Sequence, residues 1–397
     1  MKKYIILMYL LAVIQLSYAQ NNFNPSEGII PPKDYSTVVP YENINGKFII
    51  NVEVNGKPYR FVFDTGMSIT MVNKKMLDDS NHSTFSVRAT DQSGKQDSLL
   101  VGKLNHIRIG NADFSEVPVL AIDIDENPIF KCFNVDGYLG SNLLAHTVVR
   151  VSSTDNTITL TDNPSTLKLN KEQSSKLFFI SERNRLPLIN VNFSNDNDTV
   201  TEPVLFDTGA DYLYRMERDN LPVFLEQGVV QDTVKSTGSS SIGIFGNAET
   251  EATYRAKIPK MEINGAVFKG LQVETIGNQN SMIGSRLFDF GVVTFDYIHS
   301  LFYFEPFNEV NEVNEKLFPI TPTINDGKLV VGVIWDVSLE NQISVGDQIL
   351  SIDNVDYTNP VICDLVVKGV KFKDKDQITL RIKNTHGEVK QITLKRE

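Results

Sequence analysis

Asp64-Thr65-Gly66 and Asp207-Thr208-Gly209 are the residues of this sequence best suited to chemistry. Hydrolysis of an amide by water needs one group to take a proton from the attacking water and another to protonate or polarise the carbonyl. Two carboxylates held close supply both, because like-charge repulsion raises one proton affinity and leaves a single shared proton in the useful pH range. Neither Asp alone has that property. The Gly after each Asp-Thr pair lets the chain turn sharply beside the site, and the Thr hydroxyls can tie two opposing loops together. Asp64 and Asp207 are therefore the candidate catalytic pair, with Thr65, Gly66, Thr208 and Gly209 as their support. A strand ending in Asp-Thr-Gly is, taken singly, often only a turn. Chance supplies the tripeptide roughly 0.1 times in a chain of this length, so its occurring twice in matching contexts outweighs that reading.

The elements that must position the pair form an internal repeat. Residues 48–54 partly alternate apolar and polar, Asn55-Gly56 supplies a turn, and 59–63 form a strand running into Asp64. Residues 186–193 are again strand-like, and 204–206 run into Asp207. Downstream, Gly140 of Leu139-Gly140-Ser141 lies 76 residues beyond Asp64, and Gly284 of Ile283-Gly284-Ser285 lies 77 beyond Asp207. Each block is followed by a β-rich tail, 147–160 and 291–304. Self-similarity at this scale signals two copies of one all-β unit.

A third unit begins near Phe318, with a β-run at 328–335, a helix expected over 360–367, and strands at 377–383 and 389–395. The Asn- and Glu-rich stretch 307–316 is the expected boundary. Residues 1–19 combine Lys2 and Lys3, an apolar run and Ser17-Tyr18-Ala19, the pattern of a signal peptide cleaved after Ala19. No later stretch is long and apolar enough to cross a membrane. Cys132 and Cys363 lie far apart; a disulfide is permitted in an exported chain but not implied by that pair. The five His residues show no metal-ligand spacing, so no metal or other cofactor is expected. The net charge of −11, with no basic stripe, argues against a nucleic-acid partner.

Residues 41–306, through both Asp-Thr-Gly loops and both apolar-Gly segments, resemble the aspartic proteases. The resemblance implies a mainly β, two-lobed, β-barrel-like fold from a duplicated unit, with lobes over 41–176 and 177–310. Met67 and Ala210 stand where the pepsin type carries Ser or Thr, so the loops look more like the retropepsin type. Without those hydroxyls, activity confined to strong acid is not expected. By the same resemblance a β-hairpin flap covers the cleft; Gly243, Ile244 and Phe245 are the candidates in the second half, and 90–95 form a shorter, polar turn in the first.

Residues 317–397 resemble a PDZ domain of the bacterial kind, mainly through Gly346-Asp347-Gln348-Ile349-Leu350-Ser351-Ile352. That implies a peptide taken as an added strand, with Leu329, Val330, Val331 and Gly332 on the groove strand and the expected helix opposite. Asn325-Asp326-Gly327 replaces the usual carboxylate loop, and Asp326 would repel a carboxylate, so docking or scaffolding competes with ligand binding. The resulting expectation is an exported, periplasmic or secreted, aspartic endopeptidase acting on polypeptide. The alternative is a noncatalytic peptide-binding or structural envelope protein on the same scaffold.

Overall fold

The computed structural model describes residues 5–6, 24–77, 85–91, 93–124, 127–181, 183–230, 232–239, 242–277, 279–370 and 375–396. Apart from Ile5 and Ile6, the leader expected over 1–19 lies outside them.

The chain is mainly β, and its strands are of two kinds. Ser36–Ile44 alternates, with Thr37, Val39 and Tyr41 buried and their neighbours exposed, as one-sided burial requires. The ends of the two strands that carry the Asp residues are instead buried on both faces: Phe61, Val62 and Phe63 of Lys57–Phe63, and Val204, Leu205 and Phe206 of Thr199–Phe206. Such continuous apolar runs pass through a core and deliver the next residue at its edge. Each pairs in parallel with its own apolar-Gly segment, Phe63 opposite Leu139 and Phe206 opposite Ile283. The amide of Asp64 donates to the Leu139 carbonyl at 3.1 Å, and that of Asp207 to the Ile283 carbonyl at 2.8 Å.

The two halves share one sheet and one core. Val148–Ser152, just after the first block, pairs antiparallel with Gly291–Asp296, just after the second. Ser174–Lys176 pairs with Leu301–Pro306. Beneath them Phe206 meets Phe288, Phe295 and Phe302, with ring centroids 4.8–5.8 Å apart, and Phe288 also meets Phe48. Large aromatic side chains from both halves thus supply much of the buried apolar area that holds the halves together.

The C-terminal unit has a core of its own around Leu329, Val331, Ile349, Leu380 and Ile382. Its sheet runs from Ile320–Asn325 through Lys328–Ile334 and Gln348–Ile352 to Gln377–Lys383 and Val389–Lys395. The helix is Ile362–Lys368, ended by Gly369 at φ +69°. Asp326 and Gly327, at φ +47° and +71°, form a two-residue hairpin turn between adjacent strands, so this sequence does not form an open carboxylate-receiving loop.

Nor is the unit loosely tethered. Within the expected linker, Val310–Glu312 pairs with Ala266–Ile276 of the second half. The Arg255 guanidinium donates to the Phe318 carbonyl at 2.9 Å and to Glu274 at 2.7 Å, and lies 4.4 Å from the Trp335 ring centroid. On the other flank a Cys132–Cys363 disulfide, across 231 residues of sequence, joins helix Pro128–Phe133 of the first half to helix Ile362–Lys368.

Replacing both cysteines by Ser should cost on the order of 2–5 kcal/mol, read as a lower urea midpoint with faster amide exchange in Ile362–Lys368. Unaltered exchange in that helix would show that packing alone holds it.

Candidate active site

The strand geometry sets the two Asp-Thr-Gly loops tip to tip. The Thr65 amide donates to the Thr208 hydroxyl at 2.9 Å, and the Thr208 amide to the Thr65 hydroxyl at 3.0 Å. Each hydroxyl then donates across the interface, Thr65 to the Phe206 carbonyl at 2.6 Å and Thr208 to the Phe63 carbonyl at 2.8 Å. Both Thr residues are fully buried, so all four bonds form away from water. The apolar-Gly segments brace the loops from behind: the Ser141 hydroxyl donates to the Thr65 carbonyl at 2.7 Å, and the Ser285 amide to the Ala210 carbonyl at 2.7 Å.

This arrangement brings Asp64 and Asp207 together. The Gly66 amide donates to Asp64 at 2.9 Å and the Gly209 amide to Asp207 at 2.8 Å. The glycines are required by crowding: a Cβ on Gly66 would run into the Asp207 carboxyl, and one on Gly209 into the Asp64 carboxyl. Burial pushes the Asp64 carboxyl well above the usual range, and the Asp207 charge adds to that. Asp207 is also raised by burial, opposed by Lys47, by the Gly209 amide and by its bond with Asp64. The pair behaves as one unit with a proton shared between two oxygens of unequal affinity.

The pair faces a cavity of about 570 Å³. Lys47, Tyr138 and Tyr212 line it as well, and sequence reasoning had not singled them out. Burial keeps both phenols protonated, and the two carboxyls reinforce this. Tyr138 stands directly before the Leu139-Gly140 block and Tyr212 follows the second loop, so proximity to the motifs was an available signal. Nothing local marked Lys47, which begins strand Lys47–Val54 and enters the cavity only because that strand lies beside Lys57–Phe63.

The candidate flap residues lie over this cavity. Ile242–Gly243 and Gly246–Asn247 pair as a small hairpin, and Ile244 and Phe245 at its tip pack on apolar residues of the first half. The Phe245 amide donates to Asp91 at 2.6 Å, and the Asn127 side-chain amide donates to the Ile244 carbonyl at 2.8 Å. A Cβ on Gly243 would strike Asp91. The long tip from the second half thus meets the short polar turn of the first, whose Asp91 also accepts from Ser93.

The expected peptide groove on the C-terminal unit is different. Leu329 and Val331 are buried core residues, and Lys328–Ile334 is an interior strand with Ile320–Asn325 paired along it. The carbonyls of Gly332 and Ile334 accept from the Ser239 amide at 3.1 Å and the Ser236 hydroxyl at 2.5 Å, both from the second half. Gly332 permits this approach, since a Cβ there would meet the Ser239 carbonyl. The position read as a peptide-receiving strand, Leu329-Val330-Val331-Gly332, is therefore engaged within the chain. Leu329 of that strand, with Ile324, Val366 and neighbouring residues of the unit, also lines the same cavity as the Asp pair.

The sequence model of a family described as aspartyl protease matches residues 50–143, which include the Asp64 loop and the Leu139-Gly140-Ser141 segment. No curated protein matches the chain. The match supports hydrolase chemistry of the aspartyl-protease kind for the segment it spans; the Asp207 loop lies beyond it. Among the described residues there is no cluster of potential metal ligands and no helix long and apolar enough to cross a membrane.

Two outcomes follow from the crowding and burial at the pair. Thr208→Val should destabilise the protein by about 2–4 kcal/mol, because it strands the Thr65 amide and the Phe63 carbonyl, as read by chemical denaturation. Asp64→Asn should raise the thermal midpoint at neutral pH. The native proton affinity exceeds the unfolded one, so the native state loses stability as pH rises through the native pKa, and Asn removes that loss. The gain should shrink towards pH 3, where both states hold the proton; an equal gain at both pH values would contradict the assignment.

Proposed function

We propose that the chain is an exported aspartic endopeptidase that hydrolyses polypeptide with water activated by Asp64 and Asp207. The observation that carries this reading is the pair itself: two buried carboxyls, each raised in proton affinity, facing one cavity. A water between them gives a proton to the ionised carboxylate as its oxygen attacks the scissile carbonyl carbon, while the protonated carboxyl gives its proton to the carbonyl oxygen. The tetrahedral diol collapses with cleavage of the C–N bond: the nitrogen takes the proton held by one carboxyl, and a diol hydroxyl gives its proton to the ionised one, so the pair again holds a single proton. The hairpin tip at Gly243, Ile244 and Phe245 is the flap, holding substrate down and limiting water.

Export rests on the leader-like residues 1–19 and on the Cys132–Cys363 disulfide, which suits an oxidising compartment such as the periplasm or the exterior. The strand and helix order of 317–397 supports a PDZ-like unit, here built into the enzyme.

Asp64→Asn and Asp207→Asn should each lower kcat for peptide cleavage by roughly 10³-fold or more while the circular dichroism spectrum is retained. A folded variant cutting at the wild-type rate would remove the pair from the mechanism. The rate should follow a bell in pH: it falls at low pH when both carboxyls are protonated and at high pH when both are ionised. Because both affinities are raised, the falling limb should lie well above the ordinary Asp value, and activity should persist at mildly acidic pH. A profile with nothing above about pH 4, close to the ordinary Asp value of about 3.9, would overturn this.

A further inference from the structure

The face of the C-terminal unit between strand Ile320–Asn325 and helix Ile362–Lys368 opens into the cavity that holds Asp64 and Asp207. Its aliphatic lining residues are Pro322, Ile324, Leu329, Leu365, Val366 and Val370. No charged residue of this unit lines the cavity among the described residues, whereas the remainder mixes Lys47, Asp91, Asp211 and Arg215 with apolar side chains of both halves. Beside it, Ile129 and Phe133 of the disulfide-linked helix Pro128–Phe133 complete an apolar end.

Two features decide what this end can bind. The backbone of the unit is poorly placed to accept an added strand. Pro322 has no N–H, the Ile324 carbonyl already accepts from the Asn247 side chain at 2.7 Å, and the carbonyls of Gly332 and Ile334 accept from Ser239 and Ser236. What remains facing the cavity is side-chain surface. That surface is also fixed: Cys363 is bonded to Cys132, and the Asn45 side-chain amide donates to the Val366 carbonyl at 2.9 Å. A wall held covalently on one side and hydrogen-bonded to the flap hairpin on the other is preorganised to discriminate shape.

We propose that this wall is a substrate subsite: it takes a bulky apolar side chain of the polypeptide whose backbone lies across the Asp pair. The inference rests on the peptidase reading and adds to it a specificity determinant lying outside the duplicated halves. The occupant is the substrate itself, because the wall is continuous with the cavity in which the reaction occurs. The unit's contribution to recognition is then a pocket within the cleft, in place of a separate recruiting surface.

The test uses the full mature chain with its disulfide intact and a proteome-derived peptide library, with cleavage sites read by mass spectrometry. Wild type should prefer a bulky apolar residue at one fixed position relative to the scissile bond. Val366→Ala enlarges the pocket and Ile324→Phe fills it; both are mild enough to check for retained fold by circular dichroism. Ile324→Phe should lower kcat/KM about tenfold for peptides with a bulky residue at that position, with a much smaller change for peptides carrying Ala there. Val366→Ala should shift the preference towards larger residues. An unchanged preference in both variants, or an equal loss for every peptide, would overturn the subsite. If wild type cuts nothing, the peptidase reading fails, and the subsite is read from the peptides that immobilised protein retains. Apolar enrichment that the variants alter supports the subsite without hydrolysis; no enrichment overturns it.

Discussion

Everything at the centre of this protein depends on forcing two carboxyls into contact away from bulk water. Burial and mutual repulsion oppose that contact, so the surrounding fold must overdetermine it. The reciprocal Thr65–Thr208 bonds do so directly, each Thr acting as donor and acceptor across the junction. They work only because the two strands arrive at fixed height, each registered against its own apolar-Gly segment. Those segments are in turn held by tails that pair across the molecule. The sheet, the shared aromatic core and the glycines that yield space to the carboxyls therefore serve one constraint.

The parts of this arrangement legible in the sequence were those with a local physical cause. A strand buried on both faces followed by Asp-Thr-Gly is a short-range pattern, and the second copy at matching distance from Gly284 supplied the symmetry. The strands Gln377–Lys383 and Val389–Lys395 followed from alternation and coincide with the expected spans. The helix expected over 360–367 lies at Ile362–Lys368, its end set by Gly369. What escaped was created by distance. No local signal relates Cys132 to Cys363, or directs Lys47 towards Asp207. The sequence could not tell which neighbours the groove-strand residues Leu329-Val330-Val331-Gly332 would meet, because a continuously apolar strand looks the same whether its neighbour is a ligand or another part of the chain. Only the docking of Ser236 and Ser239 settles that, and it depends on a glycine whose role is to be absent of side chain.

The C-terminal unit illustrates how a small β module with its own core can be absorbed into a larger protein. The linker is paired onto the second half, Arg255 links Phe318 and Trp335, and the disulfide secures the far flank. These contacts reach both halves and the hairpin above the cavity. Motion of that hairpin is consequently coupled to the position of the unit, since Asn247 is bonded to Ile324 and Ser239 to Gly332.

Duplication also leaves a mark on direction. At the Asp pair the molecule is close to two-fold symmetric, and a symmetric site has no means of telling the amino end of a bound chain from its carboxyl end. The surroundings break that equivalence. One half contributes the long tip with Ile244 and Phe245, the other the short turn with Asp91, and the C-terminal unit adds its own wall at Ile324 and Val366. A polypeptide lying across the cleft therefore meets two chemically different ends, which gives the cleft a polarity that its chemical centre lacks.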